Sequence, residues 1–305
     1  MTNYIKLDNS KMIDGYKWEE NIQLAVNAAL AVNRPLLVKG EPGIGKSELA
    51  KAAAKELGRA FISETLTARA EPNDLLWQYD GVRRLAEAQV KRNSESSCIN
   101  VNSELSMEKF ISPGILWWAF DYVEARKKFV ACPGQCEPHQ KQLNHVENGW
   151  VVLIDEIDKA DSDVPNSLLE AFADCSFQVP YIQKPVSMKG VSPLVIITTN
   201  EERELPPAFL RRCLVLKMEL PEEETNAIDW LLSRVPDDVG LKNEYLVKAA
   251  KIILEDRRNS KGRHKPSLAE FIDFIRGVDK LSNSSEDIDK HLNEIKMFVL
   301  SKDKR

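Results

Sequence analysis

Two patterns of apolar spacing divide the chain. Up to about residue 216, short unbroken apolar runs recur: Leu36-Leu37-Val38, residues 60–66, Val151-Val152-Leu153-Ile154, Leu194-Val195-Ile196-Ile197 with Thr198-Thr199, and residues 213–216. Runs of this length, rich in β-branched residues, predict strands buried on both faces, as in a parallel sheet covered by helices. Between the first two runs, Leu49, Ala53 and Leu57, with Ala50 and Ala54, fall on one side of a predicted helix. Residues 75–90 also predict a helix, with Leu76, Tyr79 and Leu85 apolar among charged positions. Residues 177–180 and 184–189 predict a hairpin ahead of the fourth run. Beyond 216 the spacing becomes helical. Ile228, Leu231, Leu232 and Val235 fall at i, i+3, i+4 and i+7, as do Leu246, Ala249, Ala250 and Ile253. Leu268, Phe271, Ile272 and Ile275 repeat it, and Ile288, Leu292, Ile295 and Val299 nearly so. Pro221, Pro236 with Gly240, Gly262 with Pro266, and residues 282–285 punctuate the series, which predicts a small helical bundle.

The first run leads into Gly40-Glu41-Pro42-Gly43-Ile44-Gly45-Lys46-Ser47, followed by Glu48 at the head of the predicted helix. A glycine-rich turn feeding a helix N-terminus presents unpaired N–H groups and a positive dipole end, a cage for phosphate oxygens. Lys46 would reach the terminal phosphates, and the Ser47 hydroxyl would hold a magnesium ion bridging them. Residues 40–48 are therefore the candidate nucleotide-binding segment, and the fold expected is the three-layer α/β/α core of a P-loop NTPase with a small C-terminal helical lid. The domains expected are 1–218 for the core and 219–305 for the lid.

The third run ends in Asp155-Glu156. Ligands of open α/β sheets sit beyond the carboxyl ends of the strands, so Asp155 is a candidate magnesium ligand and Glu156 the candidate that activates water. The fourth run ends at Asn200, whose amide carries a donor and an acceptor on one short arm. Downstream, Arg211 and Arg212 close a short helical turn that begins at Leu205-Pro206-Pro207.

Phosphate loop, acidic strand end, Asn strand end and arginine, in that order, resemble the AAA+ ATPases. The chain is most similar to their MoxR branch, through LLVKGEPGIGKSELA, NDLLWQYDGVRRLAEAQ, PGILWWAF, VVLIDEIDKADSDVPNSLLEAF, TTNEERELPPAFLRRCL and KPSLAEFIDF. The resemblance implies an ATP- and Mg2+-dependent hydrolase that forms a homo-oligomeric ring, a hexamer, and remodels a protein partner, often one with a von Willebrand A domain. It implies Asn200 as a sensor and Arg212 as a finger acting on the neighbouring subunit, with Arg211 standing where many relatives carry aspartate. The second-sensor arginine expected on the lid is missing; Arg263 or Lys265 is the available substitute.

The passage from Lys46 to Asp155 is about twice what the intervening elements need, so an insertion is expected around 79–112, with a polar loop at 91–106. Residues 131–149 form a second irregular stretch. Trp77, Trp117, Trp118 and Phe120 are read as core, a partner-facing or pore-lining role being the alternative. Cys132, Cys136 and His139 have a loose zinc-like spacing, with His145 beyond. A formal charge of −5 and a pI near 5.6 give no global attraction to nucleic acid, and no nucleic-acid or membrane partner is expected. No apolar run reaches the length of a membrane span and MTNYIKLDNSK has no signal-like core, so a cytoplasmic chain is expected. Two alternatives stay open: a nucleic-acid-directed translocase allied to a nuclease, and a slowly hydrolysing module whose assembly is gated by nucleotide.

Overall fold

The computed structural model describes residues 4–5, 12–13, 16–93, 105–133, 138, 143, 145–260, 265–282 and 284–299. In chain order the elements are β1 (Met12–Ile13), β2 (Tyr16–Lys17), α1 (Glu20–Val32), β3 (Leu36–Lys39), α2 (Lys46–Glu56), β4 (Ala60–Thr65), β5 (Trp77–Tyr79) and α3 (Gly81–Asn93). Next come β6 (Ile111–Pro113), α4 (Ile115–Phe120), α5 (Tyr122–Ala131), β7 (Trp150–Asp155), α6 (Asp163–Asp174), β8 (Ser176–Phe177) and β9 (Val186–Ser187). The last are β10 (Leu194–Thr199), α7 (Pro207–Leu210), β11 (Leu214–Lys217), α8 (Glu224–Leu232), α9 (Asn243–Asn259), α10 (Leu268–Leu281) and α11 (Ser285–Val299). The chain divides into two compact units, one of Met1–Ile5, Leu24–Val38 and Ala53–Leu216, the other of Lys6–Gln23, Lys39–Ala52 and Lys217–Arg305.

The first unit is built on a five-stranded parallel sheet in the order β11-β3-β10-β7-β4. Every strand expected from an apolar run is present. β10 and β4 flank β7 in parallel register, Ile196 opposite Leu153 and Ile62 opposite Val152. Val151, Val152 and Ile154 are buried, as are Leu194 through Thr199, which is why these strands are apolar at consecutive rather than alternate positions. Burial of this apolar surface, at about 25 cal/mol per Å², is the main force holding the layers together.

One expectation is corrected. Residues 75–90 are not one helix: Trp77–Tyr79 is a strand paired antiparallel with β6, and α3 starts only at Gly81. Leu75 and Leu76 turn into the core, whereas Val82, Leu85 and Val90 are exposed. The few apolar positions here thus belong to two elements, and their apparent helical spacing is coincidental. As read from the sequence, Trp117, Trp118 and Phe120 are core, and Trp77 is partly buried against it. All six residues of α4 are buried, Trp117 packs edge-on to Phe177 with centroids 6.3 Å apart, and Trp118 lies against Phe129 at 5.6 Å. The expected hairpin forms, with Phe177 opposite Val186 in β8 and β9. The polar loop expected at 91–106 falls largely outside the described residues, as does nearly half of the irregular stretch at 131–149.

In the second unit, α8 to α11 are the four helices expected from the spacing. Leu231, Ala249, Ala250, Ile253, Phe271, Phe274, Ile275, Val278 and Leu292 form their common core. α10 begins with a box in which the Glu270 carboxylate accepts from the Ser267 N–H and hydroxyl at 3.1 and 2.8 Å. Among the described residues, no helix is long and apolar enough to cross a membrane.

Candidate nucleotide site

β3 delivers the chain to the glycine-rich turn, and α2 starts at Lys46. Lys46 is buried, and its ammonium donates to the Gly40 and Glu41 carbonyls at 2.7 and 2.9 Å. The cation thus lies across the turn that carries it. Ile44 is buried and anchors the turn from within. Gly43 has φ +76°, and a Cβ there would lie 2.3 Å from Ser267 Oγ and 2.9 Å from Ala269 Cβ. The Gly43 carbonyl accepts from the Ala269 N–H at 3.0 Å. At Gly45 an added Cβ would find nothing nearer than Leu268 Cδ2 at 4.0 Å, so the backbone there is open, as a phosphate cradle requires. Ser47 follows Lys46 in the first turn of α2, Pro42 is exposed, and Glu48 pairs with Lys51 at 2.6 Å on the surface. The Glu41 carboxylate accepts from Arg257 at 2.6 Å. Of the cations named as substitutes on the lid, Lys265 is exposed and Arg263 lies outside the described residues.

The acidic strand end is organised by side chains. The Thr198 hydroxyl donates to Asp155 Oδ1 at 2.5 Å and accepts from the Glu156 N–H at 2.9 Å, tying β10 to β7. Glu156 adopts a left-handed conformation, φ 60° and ψ 50°, uncommon for a residue with a side chain. Its Oε1 receives Asn200 Nδ2 at 3.4 Å and its Oε2 receives Lys159 Nζ at 2.6 Å. The hydrogen bond to Glu156 raises the Lys159 ammonium above its ordinary range. Asp158 is buried, and its Oδ2 accepts from the Asn200 and Glu202 N–H groups at 3.2 and 2.9 Å.

Thr198, Asp158 and Lys159 were not among the residues that sequence reasoning selected. The visible signal was a second acidic and a basic residue, Asp158 and Lys159, immediately after Asp155-Glu156. Arg211 and Arg212 are exposed at the end of α7, which Phe209 anchors in the core. Arg212 donates to the Ala208 carbonyl at 3.4 Å. Cys132 is buried and its thiol pushed up by desolvation, while Cys136 and His139 lie outside the described residues. No cluster of three metal-ligating side chains occurs among the described residues.

β3, β10 and β7 are successive strands of one parallel sheet. The peptide entering the glycine turn, the peptide at Asn200 and the peptide at Asp155 therefore leave the same edge, where α/β folds bind ligands. The profile of the AAA domain, dynein-related subfamily, matches residues 35–213, more than half of the chain and the whole span from β3 to the end of α7. The chain belongs to this family. It is, accordingly, an ATP-hydrolysing AAA protein with a P-loop nucleotide site, and AAA proteins commonly assemble into oligomeric rings. It is also similar to the peroxisomal Lon protease homolog 2 of Spinacia oleracea, 27% identical over 217 residues. That match takes in 68% of this chain but 19% of the relative, so the chain spans about a fifth of that protein's length. Among solved structures it is similar to a mutant RuvB of Thermotoga maritima, 14% identical with a TM-score of 0.47, over 90% of this chain and 68% of that one.

Each segment of this AAA protein has its own fitting chemistry: the glycine turn, with a backbone open at Gly45, a buried lysine and a hydroxyl at the start of α2, suits phosphate, and the carboxylates at the end of β7 suit a divalent cation.

Proposed function

We propose that this AAA protein is a magnesium-dependent ATPase of the MoxR branch that works as a hexameric ring and remodels a partner protein, one bearing a von Willebrand A domain. In this reading residues 1–218 form the nucleotide-binding core and 219–305 the lid. The observation that carries it is the coupling of strand ends: Thr198 ties Asp155 and Glu156 to β10, the strand beside the one that enters the glycine turn. Lys46 and the turn's N–H groups hold the phosphates of ATP, the ammonium exchanging its carbonyl partners for phosphate oxygens. Ser47 and Asp155 would hold the magnesium ion, which when bound would supply neutralising charge to the phosphates. Glu156 takes the proton of the attacking water, and Asn200 positions that water through the amide already directed at Glu156. Arg212, exposed on its subunit, reaches the nucleotide of the neighbour, with Arg211 beside it.

Separating binding from turnover tests the assignment. Lys46→Ala should lose ATP binding, measured by calorimetry, while Glu156→Gln should bind ATP and fail to hydrolyse it. Equal loss of affinity in both variants overturns the division of roles. Arg212→Ala should bind ATP without turnover, and mixing it with Lys46→Ala protein should restore part of the activity. A mixture that stays inactive at every ratio argues against a shared site.

A further inference from the structure

We propose that Arg257 is a positioning residue for nucleotide binding, whose guanidinium neutralises Glu41 and clasps the glycine turn to the start of α10. The proposal rests on the nucleotide-binding role assigned to residues 40–48 above. Glu41 and Glu48 are the carboxylates of that segment, and Glu48 is paired with Lys51 on the surface. A bare carboxylate beside a polyphosphate is a local repulsion that the loop's N–H groups and Lys46 must overcome. Here the Glu41 carboxylate is met by Arg257 Nη2 at 2.6 Å, while the Glu41 carbonyl accepts from Lys46 at 2.9 Å. The same residue thus joins the phosphate-seeking lysine, through its backbone, to a cation of the helical bundle, through its side chain.

The arginine is held for this task. It lies in the last turn of α9, and its Nη1 donates to the Pro266 carbonyl at 3.0 Å, fixing the peptide that precedes Ser267. Ser267 and Ala269 are the residues that crowd Gly43, and the Ala269 N–H donates to the Gly43 carbonyl. One planar guanidinium therefore bonds the turn on one side and, on the other, the segment packed against it. Lysine supplies charge but not this two-sided geometry. Arg257 is mostly buried while Glu41 is about half exposed, so the pair is partly shielded from solvent. The sequence offered Arg263 and Lys265 as the cations for this end of the bundle; Arg257 comes from the preceding helix, where spacing along the chain gave no hint of it.

The test is a titration of the full-length protein with a fluorescent ATP analogue, comparing wild type, Glu41→Gln, Arg257→Gln, Arg257→Lys and the double variant Glu41→Gln/Arg257→Gln. Arg257→Gln should weaken binding roughly tenfold at low salt, with the loss shrinking as ionic strength rises. The double variant should bind within about twofold of wild type, because the charge left unpaired in the single variant is gone. Arg257→Lys should fall between. A purely structural arginine would give a double variant as weak as Arg257→Gln, with no salt dependence, and that result overturns the proposal. Wild-type affinity in Arg257→Gln overturns it equally. If Arg257→Gln does not fold, the affinity of Glu41→Gln/Arg257→Gln decides, since neutralisation predicts near-wild-type binding and a structural role does not. Absence of binding by the wild-type protein would instead refute the nucleotide site itself.

Discussion

The glycine turn and the acidic strand end are both short segments following buried strands, yet they are held by opposite means. The turn is shaped by backbone: Lys46 caps its own carbonyls, Ala269 donates to Gly43, and Gly43 is accommodated because it has no side chain. The strand end is shaped by side chains that grip backbone: Thr198 on Glu156, and Asp158 on Asn200 and Glu202. A segment that must surround a ligand keeps its amides available, whereas one that must aim a carboxylate fixes the peptide that carries it. The difference has a consequence for mutation. Adding atoms should damage the turn, and removing them should damage the strand end.

Gly43→Ala breaks the comparison on the turn side and carries the largest expected effect. The new methyl would meet Ser267 Oγ at 2.3 Å in a backbone conformation, φ +76°, that alanine disfavours. Strain of this kind costs about 1–3 kcal/mol, and nucleotide affinity should fall more than about tenfold, because the turn must move to relieve it. Paired measurements of thermal stability and ATP affinity check this. A variant with unchanged affinity would show that the close approach to Ser267 has no bearing on binding.

Asp158→Ala tests the strand end. Its carboxylate is buried and satisfies two backbone N–H groups, so its loss leaves donors unpaired at a cost of about 1–3 kcal/mol each, reduced by any water that enters. Turnover should drop while nucleotide affinity stays within about twofold, since Asn200 and Glu156 are displaced and the glycine turn is not. Asp158→Asn retains an accepting oxygen and should recover much of the rate. If affinity and turnover fell together in Asp158→Ala, the two segments would not be separable in the way their construction implies.

The same contrast explains what the sequence made legible. The turn announces itself in letters because its chemistry needs glycines and a lysine at fixed offsets. The strands were visible because burial on both faces demands consecutive apolar residues. Asp158 and Thr198 were not selected, because a buried aspartate and a strand threonine become informative only once β7 and β10 are known to be neighbours. α4 gave no periodic signal, since a helix buried on every side, Ile115 to Phe120, reads the same as a strand. α1 was legible but not assigned: Ile22, Val26 and Ala29 are its buried positions, four and three residues apart. The antiparallel pairing of β5 with β6 joins residues more than thirty apart through strands of three, too short for any pattern to mark.

The smallest expected effect concerns Lys159, a partly exposed strand-end contact that holds a side chain rather than a peptide. The pair with Glu156 is close, at 2.6 Å, but the lysine is 41% exposed, so water screens it and its contribution to stability should be below about 0.5 kcal/mol. Its pKa is raised in the folded protein by the hydrogen bond to Glu156. A lysine raised on folding contributes stability that is fully present below the unfolded value, about 10.4, and is lost as pH rises through the higher folded value. Melting curves of wild type and Lys159→Met should therefore differ by a small amount that stays constant from pH 6 to 9 and shrinks only above the ordinary lysine range. Turnover is the sharper readout. If the ammonium merely steadies the Glu156 carboxylate, Lys159→Met should change the rate by no more than about threefold, far less than Asp158→Ala, which moves the peptide itself. A larger loss in Lys159→Met than in Asp158→Ala would place control of Glu156 in its ion pair, and would reverse the contrast between a segment fixed through its backbone and one fixed through its charges.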